Sequence, residues 1–184
     1  MKRAVLVNGL PASGKSTVAR AISLTRGWPL LTLDTIKEAF FAHLGTGDRE
    51  YNRKLGKASY QAIFALAEDF PDGATVVVDA WFGFQPLDVL QDHLARAGIT
   101  QAAEIWCHAP GDVLGERYRA RSEQRHSGHL GVSYVPELVE LAKRAQPLGR
   151  FPLFDVNTTR PLDMAAVAAW LNTTFDQQAA ADCQ

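Results

Sequence analysis

The chain of 184 residues lacks any apolar run that approaches the roughly 18 residues needed to cross a bilayer. It also lacks the start of a secretory signal, because the apolar run in MKRAVLVNGL is only as long as a strand. Cysteine is scarce: Cys107 and Cys183 stand alone, and Cys183 lies in a polar, Ala-rich tail, which argues against a structural disulfide. These absences predict a cytoplasmic protein with reduced thiols and no membrane partner.

The chain also lacks an excess of either charge. Its 19 Lys and Arg residues stand against 20 Asp and Glu residues, with a pI near 6.5. General polyanion binders usually show a basic face, so this balance disfavours nucleic acid as a partner without excluding it. The length and an apolar share of 47% suit one globular domain and leave the oligomeric state open.

Apolar runs of strand length alternate with amphipathic segments along the chain. Strands are predicted at 4–7, 29–33, 75–78, 103–107 and 152–156. Helices are predicted at 15–24, 35–44, 51–68, 86–97, 112–123, 136–145 and 164–171. Buried strands that are each followed by a helix are typical of a parallel sheet covered on both faces, so we predict a three-layer α/β sandwich. One domain is expected over residues 1–176, with a disordered tail at 177–184.

The stretch NGLPASGKST at 8–17 fits the phosphate-cradling pattern G-x-x-x-x-G-K-[ST]. It lies between a predicted strand and a predicted helix, the context that the pattern requires, which disfavours a Gly-rich turn with no ligand. Backbone N–H groups would face the phosphates, aided by the helix dipole. The residues predicted to bind the nucleotide here are Gly9, Pro11, Ala12, Ser13, Gly14, Lys15, Ser16 and Thr17.

Residue types assign roles within this loop. Lys15 can bridge the β- and γ-phosphates, and the hydroxyl of Ser16 can ligate Mg²⁺. Gly9 and Gly14 permit a backbone geometry and a close approach that a side chain would block. The loop therefore predicts a bound nucleoside triphosphate with Mg²⁺.

Asp34 and Asp79 each follow a predicted strand directly. Ligands of open parallel sheets bind beyond the carboxyl ends of the strands, so both carboxylates are expected on the substrate side of that crevice. Asp34 is preferred as the group that accepts or orients the attacking hydroxyl, and Asp79 as the partner of Mg²⁺, directly or through water. The exchange of these two roles stays open, as does a simple capping role for either residue.

Arg117, Arg121 and Arg125 recur every four residues, which predicts that they line one helix face. Like charges at this spacing destabilise a helix, so an anion is expected opposite them. ATP in transfer would supply that anion, and an arginine there would neutralise charge on the transferring group. The alternative is a solvated basic face.

Three further features follow the predicted strands and helices. His126 and His129 lie in a polar loop that we interpret as a mobile lid over the nucleotide, since no acidic or Cys partner nearby indicates a metal site. Trp81 adds aromatic bulk near the crevice, where it either contacts substrate or packs. Asn157 and Thr158 follow the fifth strand and are candidates to contact an adenine base.

With these residues assembled, the chain resembles the small P-loop kinases described as predicted kinases or AAA-type ATPases. That group is related to polynucleotide kinase, chloramphenicol phosphotransferase and the zeta toxins. The resemblance spans about positions 3–175 and is carried by GLPASGKST (9–17), LTLDTIKEAF (31–40), TVVVDAWF (75–82), ERYRARSEQRHSGH (116–129) and FDVNTT (154–159). It implies the sheet order 2-3-1-4-5, ATP with Mg²⁺ as phosphoryl donor, and an arginine-bearing helical lid at about 117–135.

The resemblance also implies roles for individual residues. Asp34 matches the carboxylate that activates the acceptor hydroxyl, the three arginines match lid arginines, and residues 157–159 would line the adenine pocket. Polynucleotide kinases typically carry an arginine three residues after that carboxylate, where this chain has Lys37, which we count among the substrate-side residues.

The leading hypothesis is an ATP-dependent kinase that acts on a hydroxyl of a small molecule, such as a sugar, a sugar acid or an antibiotic. A polynucleotide 5′-hydroxyl kinase is a rival, disfavoured by the acidic pI and the lack of an aromatic and basic stripe. A nucleoside monophosphate kinase, a regulatory NTP-binding switch and a zeta-like toxin are weaker hypotheses for the same phosphate loop.

Overall fold

The computed structural model describes residues 1–181. Within them, one sheet contains β1 (Lys2–Asn8), β2 (Leu30–Thr32), β3 (Thr75–Asp79), β4 (Ile99–His108) and β5 (Leu153–Asn157). All neighbouring strands pair in parallel, in the order β2-β3-β1-β4-β5. The predicted parallel sheet and its strand order are confirmed.

Helices cover both faces of this sheet. They are α1 (Lys15–Arg26), α2 (Leu33–Leu44), α3 (Arg49–Glu68), α4 (Leu87–Arg96), α5 (Gly111–Ser122), α6 (Val135–Ala142) and α7 (Met164–Ala181), with short 3₁₀ turns at Phe82–Phe84 and Val132–Tyr134. Helices α3 and α4 pack on one face, and α1 and α7 pack on the other. The three-layer α/β sandwich predicted from the sequence is therefore confirmed.

The central strands are apolar because helices bury them on both sides. Every residue of β3 is buried, and so is the run from Ala4 to Asn8 in β1. Such strands carry no polar alternation. Asp79 is the exception in β3, a charged residue at the carboxyl end of a buried strand, and its position marks the edge at which the site is built.

Helix α2 begins at Leu33, so Asp34 lies inside its first turn rather than before it. The N-cap position belongs to Thr32, which makes no side-chain capping bond. The simple capping role for Asp34 is therefore wrong. Its carboxylate is free to face the crevice at the carboxyl edge of the sheet.

Helix α7 continues to Ala181, beyond Asp176, where the sequence predicts a disordered tail. The side-chain amide of Gln178 donates to the carbonyl of Ala102 in β4 at 3.1 Å, which holds this part of the helix against the sheet. The rest of the predicted tail, with Cys183, lies outside the described residues. No helix in residues 1–181, α7 included, is long and apolar enough to cross a membrane.

Tyr60 of α3 anchors the chain that follows Asp79. It is fully buried, and the rings of Phe64, Phe82, Phe84 and His93 surround it with centroids 5.2 to 5.9 Å away. Its hydroxyl has no hydrogen-bond partner within residues 1–181, and burial raises its pKa. The ring therefore stabilises this cluster while its hydroxyl opposes burial.

We expect Tyr60→Phe to raise the free energy of unfolding by about 1 kcal/mol, because it removes a buried hydroxyl that has no hydrogen-bond partner and keeps the ring. Tyr60→Ala, the matched truncation, should lower it by about 3–5 kcal/mol through the cavity it creates. Urea denaturation of the two variants measures both effects. A loss of stability in Tyr60→Phe would show that the hydroxyl is bonded and would contradict this account.

Candidate active site

The loop between β1 and α1 has the backbone of an anion cradle. Gly9 and Gly14 have φ values of +156° and +84°, and Ala12 adopts +68°, a conformation that non-Gly residues rarely take. A Cβ at Gly9 would overlap the carbonyl oxygen of Cys107, and one at Gly14 would lie 3.3 Å from the Thr158 side chain. The loop is thus held between β4 and the chain after β5, with the N-terminus of α1 facing out of it.

Asp79 lies beside the start of α1. It is 2% exposed, and the side chain of Ser16 lies close to its carboxylate. Burial raises the pKa of Asp79, while the charge of Lys15 and the nearby Ser16 hydroxyl oppose that rise. Its Oδ1 has no hydrogen-bond partner in residues 1–181. An open carboxylate oxygen beside a hydroxyl is a donor set that Mg²⁺ takes, so these two residues fit a divalent cation.

Asp34 faces the same crevice from the first turn of α2. Arg125 donates from Nη2 to its Oδ2 at 3.0 Å, and 45% of the Asp34 side-chain surface remains exposed. Burial alone would raise its pKa, but four nearby basic groups bring it below the ordinary value: Lys15, His129, Arg125 and Lys37. The carboxylate is therefore ionised at neutral pH and can accept a hydrogen bond from a hydroxyl.

The three arginines do not share one helix face. Helix α5 ends at Ser122, whose hydroxyl donates back to the carbonyl three residues earlier, and Arg125 follows in a turn. The predicted helical ladder is therefore wrong for Arg125, although Arg117 and Arg121 do lie on α5. Arg121 and Arg125 still converge, since each guanidinium lies 5.6 Å from the centre of the Tyr118 ring.

Arg117 and Arg121 face different partners. Arg117 donates to the hydroxyl and to the carbonyl of Thr158, both at 2.9 Å. The buried Nε of Arg121 has no hydrogen-bond partner among residues 1–181. Burial lowers the pKa of Arg121, and attraction to Asp34 and Asp79 opposes this, so its guanidinium lies near both carboxylates. A phosphate group in the crevice would supply the hydrogen-bond acceptor that the Nε of Arg121 lacks.

A cavity of about 410 Å³ adjoins the phosphate loop, within the size range of small-molecule sites. Its wall is formed by the phosphate loop, α1, α5, β5 and the chain after β5. The lining residues are Ala12, Gly14, Thr17, Val18, Arg117, Arg121, Val156, Thr158, Arg160 and Leu162. Thr158 lies in this wall, and the Asn157 side chain accepts bonds from the backbone N–H and the hydroxyl of Thr159; contact of either residue with an adenine base stays a prediction. Sequence reasoning missed Arg160 and Leu162, because the chain after β5 has no pattern of its own.

Residues 124–131, which we call the lid loop, are docked on α2 and α3. The side-chain amide of Asn52 donates to the carbonyl of Gly128, and His126 stacks on Phe41 with ring centroids 5.2 Å apart. A Cβ at Gly128 would lie 2.5 Å from the Phe41 ring, so the absence of a side chain allows this close approach. The wall of the 410 Å³ cavity contains no lid-loop residue. These contacts hold the loop on α2 and α3 in this structure, and its closure over a nucleotide stays a prediction.

His129 belongs to the same docking surface. Its Nε2 lies 2.7 Å from Glu38 Oε1 on α2. In the part of the chain that the structure describes, no group of three or more His, Cys, Asp and Glu side chains could hold a metal ion. The histidines of the lid loop therefore take part in docking, and Glu38, one helical turn after Asp34, is a partner that the sequence did not single out.

The four remaining predicted residues lie in different surroundings. Lys37 lies on α2 about one turn after Asp34. Its side chain is 9% exposed and donates a hydrogen bond to the side chain of Asn52 on α3. Trp81 packs against the apolar cluster under α5 and α6, so packing is its observed role. Ser13 is buried and lines a separate cavity of about 130 Å³. Pro11 lies in the phosphate loop, partly buried.

A buried polar link below the phosphate loop was missed by the sequence patterns. Glu104 is 0% exposed and accepts from the side chain of Asn8 at 2.8 Å and from the backbone N–H of Leu148 at 2.9 Å. Asn8 accepts in turn from the backbone N–H of Phe82 at 3.1 Å. The link joins the start of the phosphate loop to the 3₁₀ turn after β3. Its partners are far apart along the chain, so no local pattern could have found it.

Comparison with known proteins identifies a matching family model and similar folds. The family model described as an AAA domain matches residues 5–142. No curated protein sequence matches the chain. Among solved structures, a protein from Chloroflexus aurantiacus described as a candidate kinase is 31% identical, with a TM-score of 0.79, and the match covers 94% of this chain and 98% of that one.

Two more distant structures share the fold. A gluconokinase from Sinorhizobium meliloti is 22% identical with a TM-score of 0.59, and the match covers 95% of this chain and 96% of that one. A shikimate kinase from Bacteroides thetaiotaomicron is 18% identical with a TM-score of 0.57, covering 88% and 89%. The family match spans well over half of the sequence and agrees with the phosphate loop and the sheet order. The chain therefore belongs to the AAA-domain family and is a small P-loop kinase.

Proposed function

We propose that the protein transfers the γ-phosphate of ATP to a hydroxyl group of a small molecule, with Mg²⁺ as the metal ion. The observation that carries this proposal is the half-exposed carboxylate of Asp34, which Arg125 holds at 3.0 Å and which faces one crevice together with Lys15 and Arg121. Phosphoryl transfer needs a group that orients the attacking hydroxyl and cations that stabilise the transferring phosphoryl group. Asp34, Lys15 and Arg121 supply both.

The donor half of the site follows from the phosphate loop. The 410 Å³ cavity would hold the nucleoside against Thr158, which Arg117 holds in place. Loop N–H groups and Lys15 would bind the phosphates. Mg²⁺ held by Ser16 and Asp79 would neutralise charge on the β- and γ-phosphates.

The acceptor half is built around Asp34. Arg125 bonds only its Oδ2, which leaves Oδ1 to accept a hydrogen bond from the acceptor hydroxyl. The hydroxyl oxygen forms a bond to the γ-phosphorus, the bond from that phosphorus to the bridging oxygen of ADP breaks, and the hydroxyl proton passes to Asp34. Arg121 and Lys15 neutralise the negative charge on the transferring group.

The position of the lid loop favours a small acceptor over a polynucleotide end. The docked loop runs from α5 to α2 and α3 and contacts Asp34 through Arg125, so only part of the Asp34 side chain, 45% of its surface, stays exposed. A polynucleotide whose end reached Asp34 would have to fit beside the lid loop where it contacts α2 and α3. Two of the similar folds are named gluconokinase and shikimate kinase, which agrees with a small acceptor.

The proposal predicts that ATP consumption by the full chain depends on an added small hydroxyl compound. A panel of sugars, sugar acids, other metabolite alcohols and 5′-hydroxyl oligonucleotides, assayed for ADP release and labelled product, tests this directly. We expect turnover with members of the small-molecule set. Turnover with oligonucleotides alone would favour the polynucleotide kinase, and slow hydrolysis unaffected by every acceptor would favour a nucleotide switch.

Lys15→Met should lower kcat by about 10²–10³-fold, because a cation that stabilises the transferring phosphoryl group is lost. Calorimetric titration with a non-hydrolysable ATP analogue and a steady-state assay measure binding and turnover. Lys54→Met is the matched control, since Lys54 is exposed and pairs with Glu50 on the surface of α3. Wild-type turnover in Lys15→Met would refute the assignment of the phosphate loop.

Asp34→Asn should keep nucleotide affinity and lose transfer to the acceptor by about 10²–10⁴-fold, the usual contribution of a positioned general base. Asp88→Asn makes the same charge change in the first turn of α4, on an exposed side chain, and should behave as wild type. Paired measurements of analogue binding and product formation separate donor binding from transfer. If Asp34→Asn transfers normally, another group is the base.

A further inference from the structure

One face of α2 forms the surface on which the lid loop is docked. Asp34, Glu38 and Phe41 follow each other at spacings of four and three residues, so they share a helix face. Asp34 bonds Arg125, and Glu38 bonds His129. The Phe41 ring lies edge-on to the His129 ring, with centroids 5.7 Å apart. Each residue of this face thus meets the loop.

A continuous line of hydrogen bonds runs from Glu38 to Asp34 through the lid loop. Glu38 Oε1 lies 2.7 Å from His129 Nε2, and His129 Nδ1 lies 3.1 Å from Arg125 Nη2. The same Nη2 lies 3.0 Å from Asp34 Oδ2. Nη2 of Arg125 therefore donates one N–H group to the carboxylate of Asp34 and the other to the imidazole of His129.

The partners of His129 determine its protonation state. A guanidinium can only donate, so Nδ1 must accept the bond from Arg125 and carries no proton. The carboxylate of Glu38 can only accept, so Nε2 carries the proton. The docked loop thus requires a neutral His129 with its proton on Nε2, since an imidazolium would set one N–H group against another.

The surroundings of His129 favour this neutral form. Its side chain is 6% exposed, and burial lowers its pKa below the ordinary value of 6.5. The charge of Arg125 lowers it further, while Asp34 and Glu38 oppose this. The charged and titratable groups around the docked loop come from three elements: Asp34, Lys37 and Glu38 of α2, Tyr118 of α5, whose hydroxyl donates to the carbonyl of Leu130, and Arg125 and His126 of the chain after α5. Asn52 of α3 adds no charge.

We propose that Glu38 and His129 are positioning residues: through neutral His129 they hold the Arg125 guanidinium on Asp34 and the lid loop on α2. Protonation of His129 removes the acceptor for Arg125 and weakens the docking of the loop on this surface. The inference rests on the proposed function only for the role of Asp34 as the acceptor-side base. The two residues touch neither nucleotide nor acceptor and act through Arg125.

The direction of the pH dependence follows from linkage. The docked loop favours the neutral ring, so the undocked loop binds the proton more readily. Docking is strongest above the ordinary pKa of 6.5 and weakens as the pH falls through 6.5 and past the lower pKa of the docked state. Turnover that needs Arg125 in place should therefore decline on the acid side of neutrality.

Nitrogen-15 NMR of histidine-labelled full-length protein tests the docked state without an acceptor. At pH 8 we expect His129 to show Nε2 protonated and Nδ1 not, with the signal assigned by its loss in His129→Gln. Glu38→Gln should lower the pKa of His129, because a negative charge is removed, while Glu140→Gln on the exposed surface should not. The Nδ1–H tautomer, an imidazolium at pH 8, or a pKa unmoved by Glu38→Gln would overturn the proposal.

Kinetic pH profiles with an acceptor test the positioning. His129→Phe keeps a ring against Phe41 but should lower turnover by about tenfold at pH 8, as expected for two lost hydrogen bonds. His129→Gln offers one acceptor and one donor that do not titrate, so it should recover much of that activity and lose the acid limb. His43→Gln, an exposed histidine of α2, is the control. An unchanged acid limb in His129→Gln would overturn the inference.

The two sets of experiments separate the proposals. If no hydroxyl compound supports turnover, the proposed function fails, and the NMR tautomer still decides whether Glu38 and His129 position Arg125. If turnover occurs but the acid limb is insensitive to both residues, the function stands and the positioning role fails.

Discussion

Parallel pairing of β1 with β3 on one side and β4 on the other is the constraint on which the site depends. The register sets Val7 opposite Asp79 and Asn8 opposite Trp106, so these strands end at one edge of the sheet. The chain must turn at that edge, and the phosphate loop is the turn that follows β1. Backbone hydrogen bonds fix this edge, so phosphate binding and the adjacent carboxylate share one rigid frame.

Local sequence patterns were sufficient to predict the sheet and the phosphate loop. They were not sufficient to predict the side-chain contacts between elements that are distant in sequence. The phosphate loop, the parallel sheet and the strand-end position of Asp79 could be predicted, because each depends on neighbouring residues. Glu38 and His129 are 91 residues apart in sequence, and Asn8 and Glu104 are 96 apart. No periodicity links such pairs, since tertiary packing alone brings them together. The end of α5 before the third arginine was missed for a related reason, because charge spacing does not determine where a helix stops.

The surroundings of the two carboxylates differ in a way that the sequence could not reveal. Asp34 lies among basic side chains with nearly half of its surface open, and its pKa is lowered. Asp79 is buried beside Ser16, and its pKa is raised. A carboxylate that solvent can reach suits an exchanging acceptor, whereas a buried one beside a hydroxyl suits a metal ion. These surroundings support the preferred order of roles that the sequence left open.

The separation of the 410 Å³ cavity from the lid loop has a consequence for how the cavity can be filled. The cavity wall comes from the phosphate loop, α1, α5 and the chain after β5, while the loop rests on α2 and α3. No lid-loop residue lines the cavity, so filling it does not require the docked loop to move. A nucleotide placed there, as proposed, would leave the contact between Arg125 and Asp34 intact.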